Sequence, residues 1–272
     1  MDPTGKNSEK IVVAAIPARY GSTRLPGKPL LPIAGKALIL WVVERALAAQ
    51  SVSRAIVATD DQRIFDTVTA AGFEAMMTRG DHASGTDRVA EVARDLDAEI
   101  IVNVQGDEPL IEPETIDRAV RQLEIDDEVL MATASEPIVE AAEVLNPAVV
   151  KVVTDDDGYA TSFSRKPTPW PNQAVAQHGS IEAALRNTPA LLSSFRKHTG
   201  LYVYRRKFLL QFATWPRTES EASESLEQLR ALERGVKIKV IEAASPSIGV
   251  DTIADLERVR AIVAQTSVCG CR

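Results

Sequence analysis

Four short apolar runs punctuate the first half of the chain: IVVAAIP (11–17), RAIVATD (54–60), EIIVNVQ (99–105) and EVLMATAS (128–135). Each has strand length and little polar alternation, the pattern of strands buried on both faces. Longer amphipathic stretches separate them. Leu38, Trp41, Val42, Arg45 and Leu47 mark a helix over residues 36–49; Ile64, Val68 and Ala71 mark a second, and Val89, Val92 and Leu96 a third. Strand and helix in alternation predict right-handed βαβ units. The predicted fold class is therefore α/β, with a mostly parallel, nucleotide-binding (Rossmann-like) sheet flanked by helices. Ligands of such sheets bind beyond the carboxyl ends of the strands, so the loops that follow strands are where chemistry is sought.

The rhythm changes near residue 149. VVKVVTDDDGYATSFSR holds two strand-like runs around Asp-Asp-Asp-Gly, which reads as a hairpin. Residues 166–197 are less regular and carry four prolines; GLYVYRR (200–206) returns to strand. ESEASESLEQLRALERG (219–235) reads as one helix stopped by Gly235, VKIKVIEA as a strand, and 251–265 as a closing helix with Asp251 placed like an N-cap. The predicted organisation is a disordered N-terminal tail (1–10), a single domain (11–265) with a smaller inserted antiparallel element at about 149–206, and a C-terminal tail (266–272). No internal repeat or low-complexity tract interrupts it.

The balance of charge narrows the partners. With a net charge of −7 and a pI of about 5.2, the chain lacks the surface of a general nucleic-acid binder. No run of 18 apolar residues predicts a membrane span, and the polar start MDPTGKNSEK has no signal-peptide core. Cys269 and Cys271 stand one residue apart in the final SVCGCR, which suggests neither a disulfide framework nor a zinc site. A reduced, cytoplasmic protein is the expectation.

Basic groups in such an acidic chain act locally, and one loop concentrates them. AAIPARYGSTRLPGKPL (14–30) follows the first strand and carries Arg19, Arg24 and Lys28 among two glycines and three prolines. It is not a Walker A loop, because five residues separate Gly21 from Gly27 and Pro29 follows Lys28; nor does it hold Gly-x-Gly-x-x-Gly. Three cations on a stiff loop suit a triphosphate whose charge must be balanced during attack on phosphorus. A solvated basic turn would have the same spelling.

Other candidates also read two ways. Asp107, in NVQGDEP just past a strand end, can hold Mg²⁺ or simply punctuate a turn. Asp251 can cap the last helix, bind metal, or do both. Ser84, Gly85 and Thr86 stand at a helix start, where amides and hydroxyls can reach a ligand or merely cap the helix. Arg165, His198, Glu224 and Gln228 are each at home as a surface charge, a satisfied core histidine or a solvated helical pair.

The loop IPARYGSTRLPGKPL resembles the signature of the 3-deoxy-manno-octulosonate (Kdo) cytidylyltransferase family. Further stretches resemble it in the same order: TRGDHASGTDR (78–88), IIVNVQGDEPLI (100–111), NPAVVKVV (146–153), FSR (163–165), KHTGLYVYRR (197–206), LEQLR (226–230) and GVDTIADLERVR (249–260). Together they cover roughly residues 11–263. The resemblance implies CTP + Kdo → CMP-Kdo + pyrophosphate, for lipopolysaccharide biosynthesis, with Mg²⁺, in a homodimer. It implies nucleotide contacts from Ala18, Arg19, Arg24, Lys28, Thr78, Ser84, Gly85 and Gln105, and sugar contacts from Arg165, His198, Glu224 and Gln228. Asp107 and Asp251 would bind the metal, and with Arg19 and Lys28 would form the catalytic set.

The chain departs from the family pattern around the sugar. Thr168 in KPTPW occupies an isoleucine slot, residues 170–198 are longer than usual, and Ala222 and Ser223 replace His and Ile before LEQLR. The resemblance therefore specifies the nucleotide more tightly than the sugar. Two rivals follow: a cytidylyltransferase for another sugar acid, such as an amino-Kdo or a sialic acid, and a non-catalytic sugar-nucleotide sensor.

Overall fold

In the computed structural model, which describes residues 10–21 and 24–269, the first apolar run becomes β1 (Val12–Ala18), buried along its whole length. The next runs become β2 (Arg54–Thr59), β4 (Ile100–Val104) and β5 (Met131–Pro137). A short strand that the pattern did not suggest, β3 (Glu74–Met77), lies parallel to β2. The hairpin is present as β6 (Lys151–Thr154) and β7 (Ala160–Ser164), followed by β8 (Arg196–Arg205) and β9 (Ile238–Glu242). All nine share one sheet, whose main path runs β9-β5-β8-β4-β1-β2-β3. β1 pairs in parallel with both β2 and β4, whereas β8 lies antiparallel between β4 and β5. The β6–β7 hairpin joins through β6, paired to β8. The antiparallel element thus has its last strand in the middle of the main sheet.

Alternate residues of β1 enter different cores. Val12, Ala14 and Ile16 face a cluster built with α1 (Leu38–Leu47), α2 (Gln62–Ala70), α4 (Pro113–Ile125) and α11 (Ile253–Cys269). Val13 and Ala15 face another, built with α3 (Gly85–Arg94), α8 (Arg206–Phe212) and α10 (Gln228–Glu233). A strand covered by helices on both sides has no polar face to display, hence the unbroken apolar spelling. A third, smaller cluster holds Ile138, Val144, Ile181, Leu185 and Phe195 beneath α5 (Ala141–Leu145) and α7 (Ile181–Asn187).

Several boundaries differ from the pattern. The irregular stretch contains α6 (Asn172–His178), α7 and a 3₁₀ turn at Pro189–Ser194. The helix expected over 219–235 is two short helices, α9 (Glu219–Glu224) and α10, because Ser225 takes a left-handed conformation with φ 53°. Gly235, at φ 75°, ends α10 as expected. The last helix extends to Cys269, four residues past its expected end. Of the two tails, residues 1–9 and 270–272, including Cys271, lie outside the described residues.

Candidate active site

Because β1 pairs with β2 on one side and β4 on the other, the sheet's connections reverse at β1, and a crevice opens beyond the ends of β1 and β4. The two strand ends nearly touch there. A Cβ on Gly106 would lie 2.6 Å from the carbonyl oxygen of Pro17, so only glycine fits. The crevice is a cavity of about 360 Å³ whose walls include Ala18, Arg19, Arg24, Lys28, Gly85, Gln105, Asp107 and Asp251. Eight sequence candidates from four separate segments meet in this one space.

The cationic loop is locked at its base. Gly27 adopts φ 69° and delivers Lys28 into a short 3₁₀ turn, Lys28–Leu30. The Tyr20 ring fills the space where a Gly27 side chain would stand, with its nearest atoms 3.1 Å from that position. The Arg63 guanidinium lies 3.3 Å from the centre of the same ring and is held bidentately by Asp61 at 3.0 and 2.6 Å. Among the described residues Gly21 meets no such neighbour. Gly27 is the glycine of this loop with a positive φ.

The cations already have partners. Lys28 Nζ, largely buried, donates to Asp107 Oδ2 at 2.6 Å and to Asp251 Oδ1 at 3.1 Å. Arg24 pairs with the other Asp251 oxygen, Oδ2, at 3.1 Å. One guanidinium nitrogen of Arg19 donates to the carbonyls of His82 (2.7 Å) and Ser84 (2.9 Å), which fastens the loop before α3 to the end of β1.

Asp251 does not cap α11. The Thr252 hydroxyl accepts from the Asp255 amide at 3.2 Å, and the Asp255 carboxylate accepts in return from the Thr252 amide at 2.8 Å, a reciprocal capping pair. The Asp251 carboxylate is therefore released towards the cavity. Val250 N–H donates to the Asp107 carbonyl at 2.8 Å, tying the two carboxylate-bearing segments together. Among the described residues no group of three or more His, Cys, Asp or Glu side chains is arranged to hold a metal ion. Two carboxylates that converge on one ammonium nevertheless suit a hard cation that takes its remaining oxygens from phosphate and water. Magnesium fits this donor set, with the Lys28 ammonium standing where a cation belongs.

Beside them, the Glu108 carboxyl is pushed up to about 7, first by burial and then by the charges of Asp107, Glu136 and Asp251, against a stabilising hydrogen bond from Ser247. Sequence reasoning passed over Glu108, although it adjoins Asp107 in the GDEP turn.

Gly85 lines the cavity, whereas Ser84 does not; its buried side chain caps α3 by accepting from the Asp87 amide at 3.1 Å. Gln105 Nε2 donates to Asn103 Oδ1 at 3.2 Å, and Asn103 donates weakly to Thr86 at 3.5 Å. Thr78 does not line the cavity; its hydroxyl accepts from the fully buried Arg88, which also pairs with Asp60 at 3.2 Å.

The four sugar candidates form a separate neighbourhood and do not line this cavity. Arg165 donates through its amide to Glu224 Oε2 (3.0 Å), through Nε to the Glu224 carbonyl (2.7 Å), and to Pro147 O (3.0 Å). His198 meets the Thr133 hydroxyl at 2.8 Å and packs edge-on against Phe163, two residues before Arg165; burial pushes its imidazole down to about 4, so it is neutral. Gln228 is buried with its Nε2 unpaired. Beneath them is Lys151, fully buried, whose ammonium donates to the carbonyls of Asn146, Val149 and Arg165 at 3.1, 2.7 and 2.6 Å. A lysine inside the apolar run VVKVV was the available signal for it.

A family model described as Cytidylyltransferase matches residues 13–238. A protein of Syntrophotalea carbinolica called 3-deoxy-manno-octulosonate cytidylyltransferase is 50% identical over 250 residues, 92% of this chain and 97% of its own. One of the same name from Pseudomonas fluorescens is 52% identical over 253 residues, covering 91% and 96%. Among solved structures, a CMP:2-keto-3-deoxy-manno-octonic acid synthetase complexed with CTP is 43% identical with a TM-score of 0.83, covering 94% of this chain and 99% of that one. A 4-diphosphocytidyl-2C-methyl-D-erythritol synthase from Anaerococcus prevotii, 15% identical with a TM-score of 0.58, shares the fold alone.

Proposed function

The chain belongs to the 3-deoxy-manno-octulosonate cytidylyltransferase family, and on that premise we propose that it activates Kdo with CTP, giving CMP-Kdo and pyrophosphate for lipopolysaccharide biosynthesis. The observation that carries this reading is the convergence of Lys28, Arg24, Asp107 and Asp251 at the strand-end cavity.

The reaction is an in-line displacement at the α-phosphorus. The anomeric 2-hydroxyl oxygen of Kdo forms a bond to phosphorus, the bond from phosphorus to the bridging oxygen of pyrophosphate breaks, and the hydroxyl proton passes to solvent water. Asp107 and Asp251 would hold a magnesium ion, which when bound would offset phosphate charge and acidify the attacking hydroxyl. Lys28 and Arg24 then exchange their carboxylate partners for the β- and γ-phosphates. Arg19 keeps the loop before α3 closed on the end of β1, with the backbone of Ala18 and Arg19 set to read the cytosine edge. Ser84, Gly85 and Gln105 complete the nucleotide side. Arg165, His198, Glu224 and Gln228 receive the sugar acid, and the neutral His198 serves there as a hydrogen-bonding group rather than a cation. We extend the proposal to a homodimer acting in the cytoplasm.

The test is pyrophosphate release from CTP and Mg²⁺ with Kdo, 8-amino-Kdo and a sialic acid in parallel. Release with Kdo alone supports the reading, preference for another acid moves the substrate, and CTP binding without release from any of them would make the protein a sensor.

A further inference from the structure

Asp251 stands on a segment with no regular structure of its own. Between β9 and α11 the chain runs AASPSIGVDT, and α11 holds only its far end, where the Asp251 N–H donates to the Asp255 carboxylate at 3.1 Å. Side-chain and backbone anchors hold the rest. Ala244 N–H donates to the Thr115 hydroxyl at 2.9 Å, and Val250 N–H donates to the Asp107 carbonyl at 2.8 Å. Midway between them, Ser247 makes two bonds to two carboxylates on different elements. Its N–H donates to Glu136 Oε1 at 2.9 Å, and its hydroxyl donates to Glu108 Oε2.

Both acceptors are themselves fixed. Glu136, only 3% exposed near the end of β5, also accepts from the Thr199 hydroxyl at 3.1 Å and lies 3.3 Å from Lys197 Nζ. Glu108 directly follows Asp107. The segment lies flat on it, since a Cβ on Gly249 would stand 3.1 Å from Glu108 Oε1. A serine is the smallest residue that offers a side-chain donor beside its own amide, so one position can bridge two acids without widening the gap.

We propose that Ser247 is a positioning residue for the cation site: by bridging Glu136 and Glu108 it fixes the segment that brings Asp251 to Asp107. It touches neither substrate nor metal and acts through the aspartates. The proposal rests on the reading that Asp107 and Asp251 bind the metal.

The test uses the full chain with saturating CTP and Mn²⁺ as the probe, followed by water-proton relaxation enhancement, which separates protein-bound Mn²⁺ from Mn²⁺ on free nucleotide. Ser247→Ala should weaken Mn²⁺ binding about ten-fold, the low end for groups that orient metal ligands. CTP affinity without metal should stay at the parent value, and Ser247→Thr, which keeps the hydroxyl, should restore Mn²⁺ affinity. Ser247→Ala binding Mn²⁺ as tightly as the parent, while Asp107→Asn binds it poorly, overturns the role of Ser247 alone. Asp107→Asn retaining parent affinity overturns the metal reading and the proposal with it.

Discussion

Gly106→Ala is the smallest change that should disturb the whole site. The added methyl would lie 2.6 Å from the Pro17 carbonyl oxygen, about 0.8 Å inside ordinary contact at 3.4 Å, with Ile39 Cδ1 already 3.4 Å away. The conflicting atom belongs to the backbone of β1, so no rotamer change relieves it, and the ends of β1 and β4 must part. Overpacking of this kind costs about 1–3 kcal/mol, and each kcal/mol lowers Tm by about 2–4 °C in a protein of this size. The parting also separates Arg19 from Asp107, and misplacement approaching 1 Å costs on the order of 100-fold in rate. Calorimetry should show the lower Tm and pyrophosphate release the lower kcat. Gly85→Ala, whose methyl would meet a Pro17 ring carbon at 3.3 Å, should destabilise less, because that ring can shift. A Gly106→Ala protein with parent Tm and parent kcat would refute the reasoning.

If Asp107 and Asp251 hold a metal ion, it competes with the Lys28 ammonium that now pairs with both, so Lys28→Met should bind Mn²⁺ in the absence of nucleotide more tightly than the parent while losing at least about 100-fold in turnover. Equal nucleotide-free affinities would break the competition argument. For His198, burial lowers the folded-state value to about 4 against about 6.5 unfolded, so the unfolded chain binds the extra proton between them. Its contribution to stability is complete above about pH 6.5 and is lost as pH falls through 4. Urea unfolding at pH 7 and pH 5 should therefore show a smaller loss on acidification in His198→Gln than in the parent, by at most about 2 kcal/mol.

The parallel strands were legible because burial on both faces removes polar alternation, and Val12–Ala18 shows it most plainly. The members of the candidate site were legible as well, since Arg24, Lys28, Asp107 and Asp251 are chemistry-bearing residues beside strand ends or helix starts. Their pairing was not. That Lys28 bridges two aspartates 144 positions apart in sequence, and that Thr252 rather than Asp251 caps α11, are tertiary facts with no local signature. The same holds for the break at Ser225, where a helical pattern continues across a left-handed residue. Gly106 spells like any turn glycine; only the approach of Pro17 from 89 residues earlier makes it obligatory. Ser247 carries no signal at all until its two carboxylate partners are brought to it by β4 and β5.

The most direct test of the account is pyrophosphate release by Asp107→Ala and its parent under saturating CTP, Kdo and Mg²⁺, with both proteins verified as folded. The parent should release pyrophosphate, and the variant should show at least about a 100-fold lower kcat. A folded Asp107→Ala protein turning over at the parent rate would contradict the account.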